Sequence, residues 1–398
     1  MSASPGCGTG DVAYCLKSTV VRHKTRSRVL TQFYSKTKIC YGKYALDTLE
    51  EINCSRAFLV TDPFMVKSGF ADQVMSHLER RDIPLHVFSE VEPDPSLETV
   101  KRGTLAFSSS GADLILALGG GSSIDTAKAI VYFAHNAAPE KVRPQLVAIP
   151  TTRGTGSEVT SISVVTDKQN SVKIPLNDEL LIPDMAILDA RFTRTVPPSV
   201  TAATGMDVLT HAIEAYTSRN NNAFTDILAV EGIRYVFSAL LKAYQQMEDM
   251  DAREKLLLGS CMAGLAFNNS GLGLTHSMAH ALGGQFHVPH GVANALLLPH
   301  VVRFNSFDAG VRYRELARTI GLPHGNVEEG TNALITAIRG LNEAMKVPMR
   351  IRDLKVEESV FRASIESMAT HALNDLCTKG NPRRPSLTDI KALFEAAW

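Results

Sequence analysis

Residues 113–130, DLILALGGGSSIDTAKAI, pass from a short apolar run through three consecutive glycines into a stretch with helical spacing. The apolar run is bounded like a strand and carries no polar alternation, so it reads as a strand buried on both faces. The stretch after the glycines reads as a helix. A buried strand feeding directly into a helix is the repeating unit of a parallel sheet covered on both sides. The same unit recurs on either side: RAFLVTD (56–62) precedes an amphipathic stretch to about residue 80, PLHVFSEV (84–91) precedes a segment opened by EPDPS (92–96), and QLVAIPTT spans 145–152. SISVVT (161–166) and SVKIPL (171–176), joined by the turn-forming DKQN, read as a β-hairpin extending the sheet, with MAILDA (185–190) as a last short strand. Beyond VPPS (196–199) the apolar spacing is helical through to Trp398. The expectation is an α/β domain over 29–196, mostly parallel and Rossmann-like, followed by an all-helical domain over 197–398. Residues 1–28 form an N-terminal extension.

At 398 residues the chain has apolar content enough for two cores. Its 41 basic and 41 acidic residues cancel, which removes the long-range field that would draw nucleic acid or an anionic membrane. No apolar run is long enough to span a bilayer, and MSASPGCGTG lacks a charged start followed by an apolar segment, so a cytoplasmic protein is expected. The six cysteines are scattered without paired or zinc-finger spacing, as free thiols of a reducing compartment are. These features leave small molecules as the expected partners.

Gly119, Gly120 and Gly121 sit where a strand yields to a helix, and glycine there lets the backbone approach a phosphate while the helix start supplies free amides and a favourable dipole. Ser122 or Ser123 is placed to cap that helix. A second glycine-containing strand exit, IPTTRGTGSE (149–158), offers the hydroxyls of Thr151 and Thr152, and two such exits can grip a dinucleotide at the carboxyl edge of a sheet. A glycine loop can also be a turn shaped for its own sake. The usual GxGxxG fingerprint with a later acid is missing; Asp62 instead ends an earlier strand, where a carboxylate can accept from ribose hydroxyls and so favour NAD over NADP.

In the second half, GMDVLTHAIEAY (205–216) sets Asp207 and His211 four residues apart, on one helix face. GLGLTHSMAHALGGQFHVPHGVAN (271–294) adds His276 and His280 with the same spacing, then His287 and His290. One carboxylate with several imidazoles on separate helices suits zinc or ferrous iron. A lone histidine on such a helix would be read as a core residue; the clustering argues otherwise.

These segments are where the chain resembles the iron-containing alcohol dehydrogenase family, which includes lactaldehyde reductase and propanediol and propanol dehydrogenases. GGGSSIDTAKAI, IPTTRGTGSEVT, TGMDVLTHAIEAY and GLGLTHSMAHALGGQFHVPHGVANA occur in the family's order, over a resemblance running from about residue 30 to the C-terminus. It implies a metal (Fe2+, with Zn2+ as the alternative) held by Asp207, His211, His276 and His290, and His280 beside the nicotinamide and substrate. It also implies NAD bound by Asp62, Gly119, Gly120, Gly121, Ser122, Asp125, Thr151, Thr152 and Lys173. His287 falls on a variable position and is excluded as a ligand. The implied reaction interconverts a small primary alcohol or diol and its aldehyde, the metal acting as Lewis acid while hydride passes to the nicotinamide. Arg153 departs from the pattern, since the threonine loop often carries a small residue there; its cation could meet pyrophosphate, bias substrate choice or point to solvent. The competing readings are an NAD-using metal lyase or cyclase of the dehydroquinate synthase type, which shares this architecture, and a binding protein that keeps only the fold. A homo-oligomer is expected. The extension, with Val12, Cys15, Leu16 and Val20 at helical spacing, is either a linker or a segment docking on a partner, as within a bacterial microcompartment.

Overall fold

The computed structural model describes residues 31–169 and 172–398, so the N-terminal extension, read as a linker or a docking segment, lies outside the described residues. The strands are β1 (Lys38–Tyr41), β2 (Ala57–Val60), β3 (Leu85–Phe88), β4 (Leu114–Gly119), β5 (Gln145–Pro150), β6 (Ile162–Asp167), β7 (Val172–Asn177) and β8 (Met185–Leu188). Helices α1 (Pro63–Lys67), α2 (Phe70–Glu79), α3 (Leu97–Ser110) and α4 (Gly121–Ala137) alternate with the first strands. Then α5 (Pro198–Thr217), α6 (Ala223–Gln245), α7 (Met250–Ser270), α8 (Leu274–Phe286), α9 (His290–Thr319), α10 (Val327–Ala344), α11 (Glu358–Asn374) and α12 (Leu387–Ala396) come after, with no further strand among the described residues.

Six strands form one sheet in the order β1-β8-β5-β4-β2-β3, all paired in parallel. Because β2, β4 and β5 are apolar at nearly every position, both faces are covered. Leu59, Leu114 and Leu116 pack with Val74 and Leu78 of α2, while Phe58, Ile115 and Ala117 pack with Ile124 and Ile130 of α4. The chain leaves β2 for β3 on one side and returns to β4 on the other. That change of direction opens a crevice at the carboxyl ends of β2 and β4, where α/β sheets bind ligands.

Two expectations are corrected. The 161–176 hairpin does not extend the sheet: β6 and β7 form a separate antiparallel pair, laid over α3 and α4, where Val165 packs with Val100 and Ala129. Lys128, buried in α4, tethers it by donating to the carbonyls of Thr160 and Ile162 at 2.8 and 2.9 Å. The edge position instead falls to β1, whose four residues carry no clear alternation. The serines after the glycines do not cap α4 either. That helix starts at Gly121 with Gly120 as its N-cap, and no side chain accepts from its first turn.

In the helical part, α5 is buried on nearly all sides, packed by α6, α7 and α9 around Met206, Leu209, Ile213, Ile233 and Leu298. A second core joins α8, α9, α11 and α12. No described helix is long and apolar enough to cross a membrane. The four described cysteines, Cys40, Cys54, Cys261 and Cys377, are free.

Candidate functional site

Asp207 and His211 project from one face of α5, His276 from the first turn of α8, and His290 from the first residue of α9. One ligating atom from each lies within 4.8 Å of all the others. His276 Nε2 and His290 Nε2 stand 3.7 and 3.5 Å from Asp207 Oδ1, and the His211 and His276 rings stack at 4.6 Å. The approach of α9 to α5 depends on Gly291, since a Cβ there would lie 2.3 Å from the carbonyl oxygen of Ala203.

The electrostatics of this cluster call for a cation. Burial would raise Asp207, yet His211, His290 and His276 together hold its carboxyl well below the usual carboxylate range. Burial pushes His211 down to about 4, and it also lowers His290, whose ring is 41% exposed and so partly screened; both imidazoles are neutral, with lone pairs to offer, at physiological pH. His276 differs. Burial would lower it, but Glu214 and Asp207 outweigh that and raise it to about 9, so a positive charge is favoured between these carboxylates. His276 Nε2 and His211 Nδ1 are buried without partners, which is costly unless something binds them. One carboxylate oxygen and three imidazole nitrogens, with His276 Nε2 orphaned among them, fit a divalent iron or zinc.

A second ring of residues holds this set, and the sequence did not single it out. Glu214, one turn beyond His211, accepts from His276 Nδ1 at 2.7 Å and from the backbone of Gly273 and Thr275, orienting the ring so that Nε2 faces the cluster. Asn294 donates to Asp207 Oδ1 at 2.7 Å. Glu214 had a sequence signal in its helical spacing from His211. Asp375 had none, being 95 residues from its partner His280, whose Nδ1 it binds at 2.9 Å. The His280 ring is 45% exposed and stacks on His290 at 5.3 Å, beside the cluster rather than within the four. His287 is the exposed left-handed cap of α8, outside the cluster.

The glycine loop lies at the crevice between β2 and β4. Gly119 has φ 149, and a Cβ on it would sit 2.2 Å from Ser123 Oγ. Asp62 closes the neighbouring strand; its Oδ1 caps α1 by accepting from Phe64 and Met65, and its Oδ2 lies toward Gly119. Thr151 donates its amide to the Gly119 carbonyl at 2.9 Å. Thr152 and Thr155 cover Gly120 and Gly121, so close that a Cβ on either glycine would meet them at 3.1 and 2.7 Å. Two residues on, Gly154 abuts Thr204, three positions before Asp207 on α5. One loop therefore touches both the glycine turn and the helix carrying two of the metal-type side chains.

Other expected residues stand further back. Ser122, half-buried, contributes its carbonyl to Thr126. Asp125 is committed to Ser157 Oγ at 2.6 Å and the Val164 amide at 3.0 Å, holding the threonine loop and hairpin. Lys173 pairs with Asp94 at 2.6 Å, both well exposed. Arg153 does not point to solvent: it is 1% exposed and donates to Thr201 Oγ1 of α5 at 2.8 Å.

Comparison with known proteins agrees with this geometry. The iron-containing alcohol dehydrogenase description matches residues 36–190, and the Fe-containing alcohol dehydrogenase family C-terminal description matches residues 201–398. The chain is 38% identical over 386 residues to an NADPH-dependent butanol dehydrogenase of Clostridium saccharobutylicum, covering 93% of this chain and 98% of that protein. It is 39% identical over 366 residues to the lactaldehyde reductase of Escherichia coli strain K12, covering 88% and 94%. A crystal structure of 1,3-propanediol oxidoreductase superposes with a TM-score of 0.87 at 34% identity, covering 93% of this chain and all of that one. These relatives are oxidoreductases, which sets aside the lyase or cyclase alternative. With both halves matched and the metal-type cluster in place, the chain belongs to the iron-containing alcohol dehydrogenase family and is an NAD(H)-using, metal-dependent alcohol dehydrogenase.

Proposed function

We propose that the protein interconverts a small primary alcohol or diol and its aldehyde, with Asp207, His211, His276 and His290 holding the metal. The observation that carries this reading is the convergence of one carboxylate and three imidazoles, His276 Nε2 among them buried and orphaned, with α5 touched by the loop that covers the glycine turn. A bound divalent iron, or zinc, supplies Lewis acidity toward a substrate oxygen. The uncapped first turn of α4 and the amides of Gly120 and Gly121 bind the dinucleotide phosphates, and Asp62 takes the ribose. Thr151 and Thr152 close over the same crevice, while Asp125 and Lys173 brace the loops around it. Asp375 fixes His280 through Nδ1, leaving Nε2 to hold and pass on the proton that the alcohol gives up.

In this reading residues 29–196 bind the dinucleotide and 197–398 the metal. The enzyme is cytoplasmic and self-associates. Exposed Phe224, Ile227, Phe307 and Val311 support self-association, which sizing with light scattering measures. The deciding experiment is NADH-dependent reduction of aldehydes of graded chain length, with metal analysis of anaerobically purified protein. Turnover that tracks iron or zinc content is expected; stoichiometric metal with no hydride transfer to any short aldehyde would overturn the reading.

A further inference from the structure

Arg153 and Arg253 are the largest fully buried side chains among the described residues, 1% and 0% exposed. Arg153 donates one Nη2 bond to Thr201, and its Nε and Nη1 have no partner. Arg253, on α7, donates Nε to the Met247 carbonyl and Nη1 to the Thr193 carbonyl, and its Nη2 has no partner. No described carboxylate forms an ion pair with either guanidinium; the one acid that acts on Arg253 from a distance is Glu248, which is exposed. Burial, with the charge of Arg253 added, lowers Arg153 to about 9. A guanidinium nevertheless keeps its proton at neutral pH, so two like charges that act on each other are both buried and carry three unpartnered donor nitrogens between them. Enclosed ions without a counter-charge are strongly unfavourable, and orphaned N–H groups add to the cost.

We propose that Arg153 and Arg253 enclose a binding site for a small inorganic anion, between the 151–155 loop, the start of α5 and α7. The dinucleotide's phosphates are a poorer fit to these donors. Thr152 and Thr155 face Gly120 and Gly121, whereas Arg153 crosses to Thr201 and is shut off from solvent. The anion ties the loop that covers the glycine turn to the helix bearing Asp207 and His211, so its occupancy stiffens the join between the two parts of the site.

The test starts from the full-length metal-loaded protein, exchanged into a buffer whose only anion is gluconate, with no dinucleotide or alcohol. Chloride, sulfate and inorganic phosphate are titrated separately at constant ionic strength while thermal unfolding is followed. At least one should raise Tm saturably by about 2 °C or more, the scale set by mass action on a chain of this size. Ion chromatography of acid-released anions should find that ion stoichiometric with the chain. Arg153→Met, which keeps the length of the stem without the charge, should lose both signals. No stabilisation beyond the gluconate control and no released anion would overturn the proposal, leaving buried water to satisfy the guanidinia. An unchanged response in Arg153→Met would also overturn it. Displacement of the anion by saturating NAD would do the same, by assigning these donors to the dinucleotide. Should Arg153→Met fail to fold, the titration and anion count on the native chain still decide.

Discussion

Asp62 tests coenzyme choice through a single side chain. Its free oxygen lies on the crevice side, toward Gly119; with the ribose bound as proposed, NADP would carry its extra phosphate close to that oxygen. Two like charges about 4 Å apart repel by about 4 kcal/mol at an effective dielectric of 20, and even about 1.4 kcal/mol is tenfold in affinity. Asp62→Gly should therefore shift the kcat/KM ratio toward NADP by tenfold or more, and because Oδ1 also caps α1, it should lose about 1 kcal/mol of stability. Equal ratios in both proteins, at one ionic strength, would leave Asp62 a helix cap alone. The histidines separate in the same way. His276→Ala should lose most bound metal and activity, whereas His280→Ala should retain metal and lose turnover by about 100-fold or more. Metal loss of equal size in both would move His280 among the ligands.

Elements, rather than residues, decide how close the glycine turn comes to its neighbours. Strand β4 ends at Gly119 with a positive φ and passes into α4 with no capping side chain. Gly119→Ala places a methyl 2.2 Å from Ser123 Oγ in a conformation that L residues rarely adopt. We expect about 1–3 kcal/mol lost in chemical denaturation, and a rise in KM for NAD larger than any change in metal content. A variant that keeps native KM would show that the turn's shape has no part in dinucleotide binding. The strand-to-helix pattern, the glycine turn and the histidine-bearing helical segments were legible in the sequence because their periodicity and glycine placement follow from local sterics. The hairpin's separation from the sheet was not: β6 and β7 alternate as edge strands do, and only packing on α3 and α4, with Lys128 beneath, places them elsewhere.

Across the molecule as a whole, buried charge should make stability depend on pH. Burial raises Glu158 to about 7, and its Oε1 has no partner. A carboxyl whose folded value exceeds its unfolded value of about 4.3 stabilises the folded state below that lower value, and the contribution is lost as pH rises through 7. Glu158→Gln should therefore match the native protein near pH 4 and exceed it at pH 7.5 by on the order of 3 kcal/mol, read from urea unfolding at each pH. Burial lowers Lys128 to about 8, the opposite case: its cost is present below that value and relieved above it, so the Glu158 effect is read below pH 8. A stability difference independent of pH would show that Glu158 is ionised in the folded protein throughout.

The kind of chemistry was legible in local sequence. A strand, a glycine turn and a helix follow from local propensity, and Asp207 and His211, like His276 and His280, share a helix face because the helix repeats every 3.6 residues. Which of these groups meet was settled by packing alone. Periodicity cannot tell that His290 rather than His280 completes the four, that Asp375 reaches His280 from 95 residues away, or that Glu214 turns His276 toward the cluster. It gave no sign that Arg153 would lie enclosed near Arg253. Those pairings arise between helices distant in the chain, and they are set by the packing of α5 against α7 and α9, where small residues such as Gly291 permit contact that no local rule records.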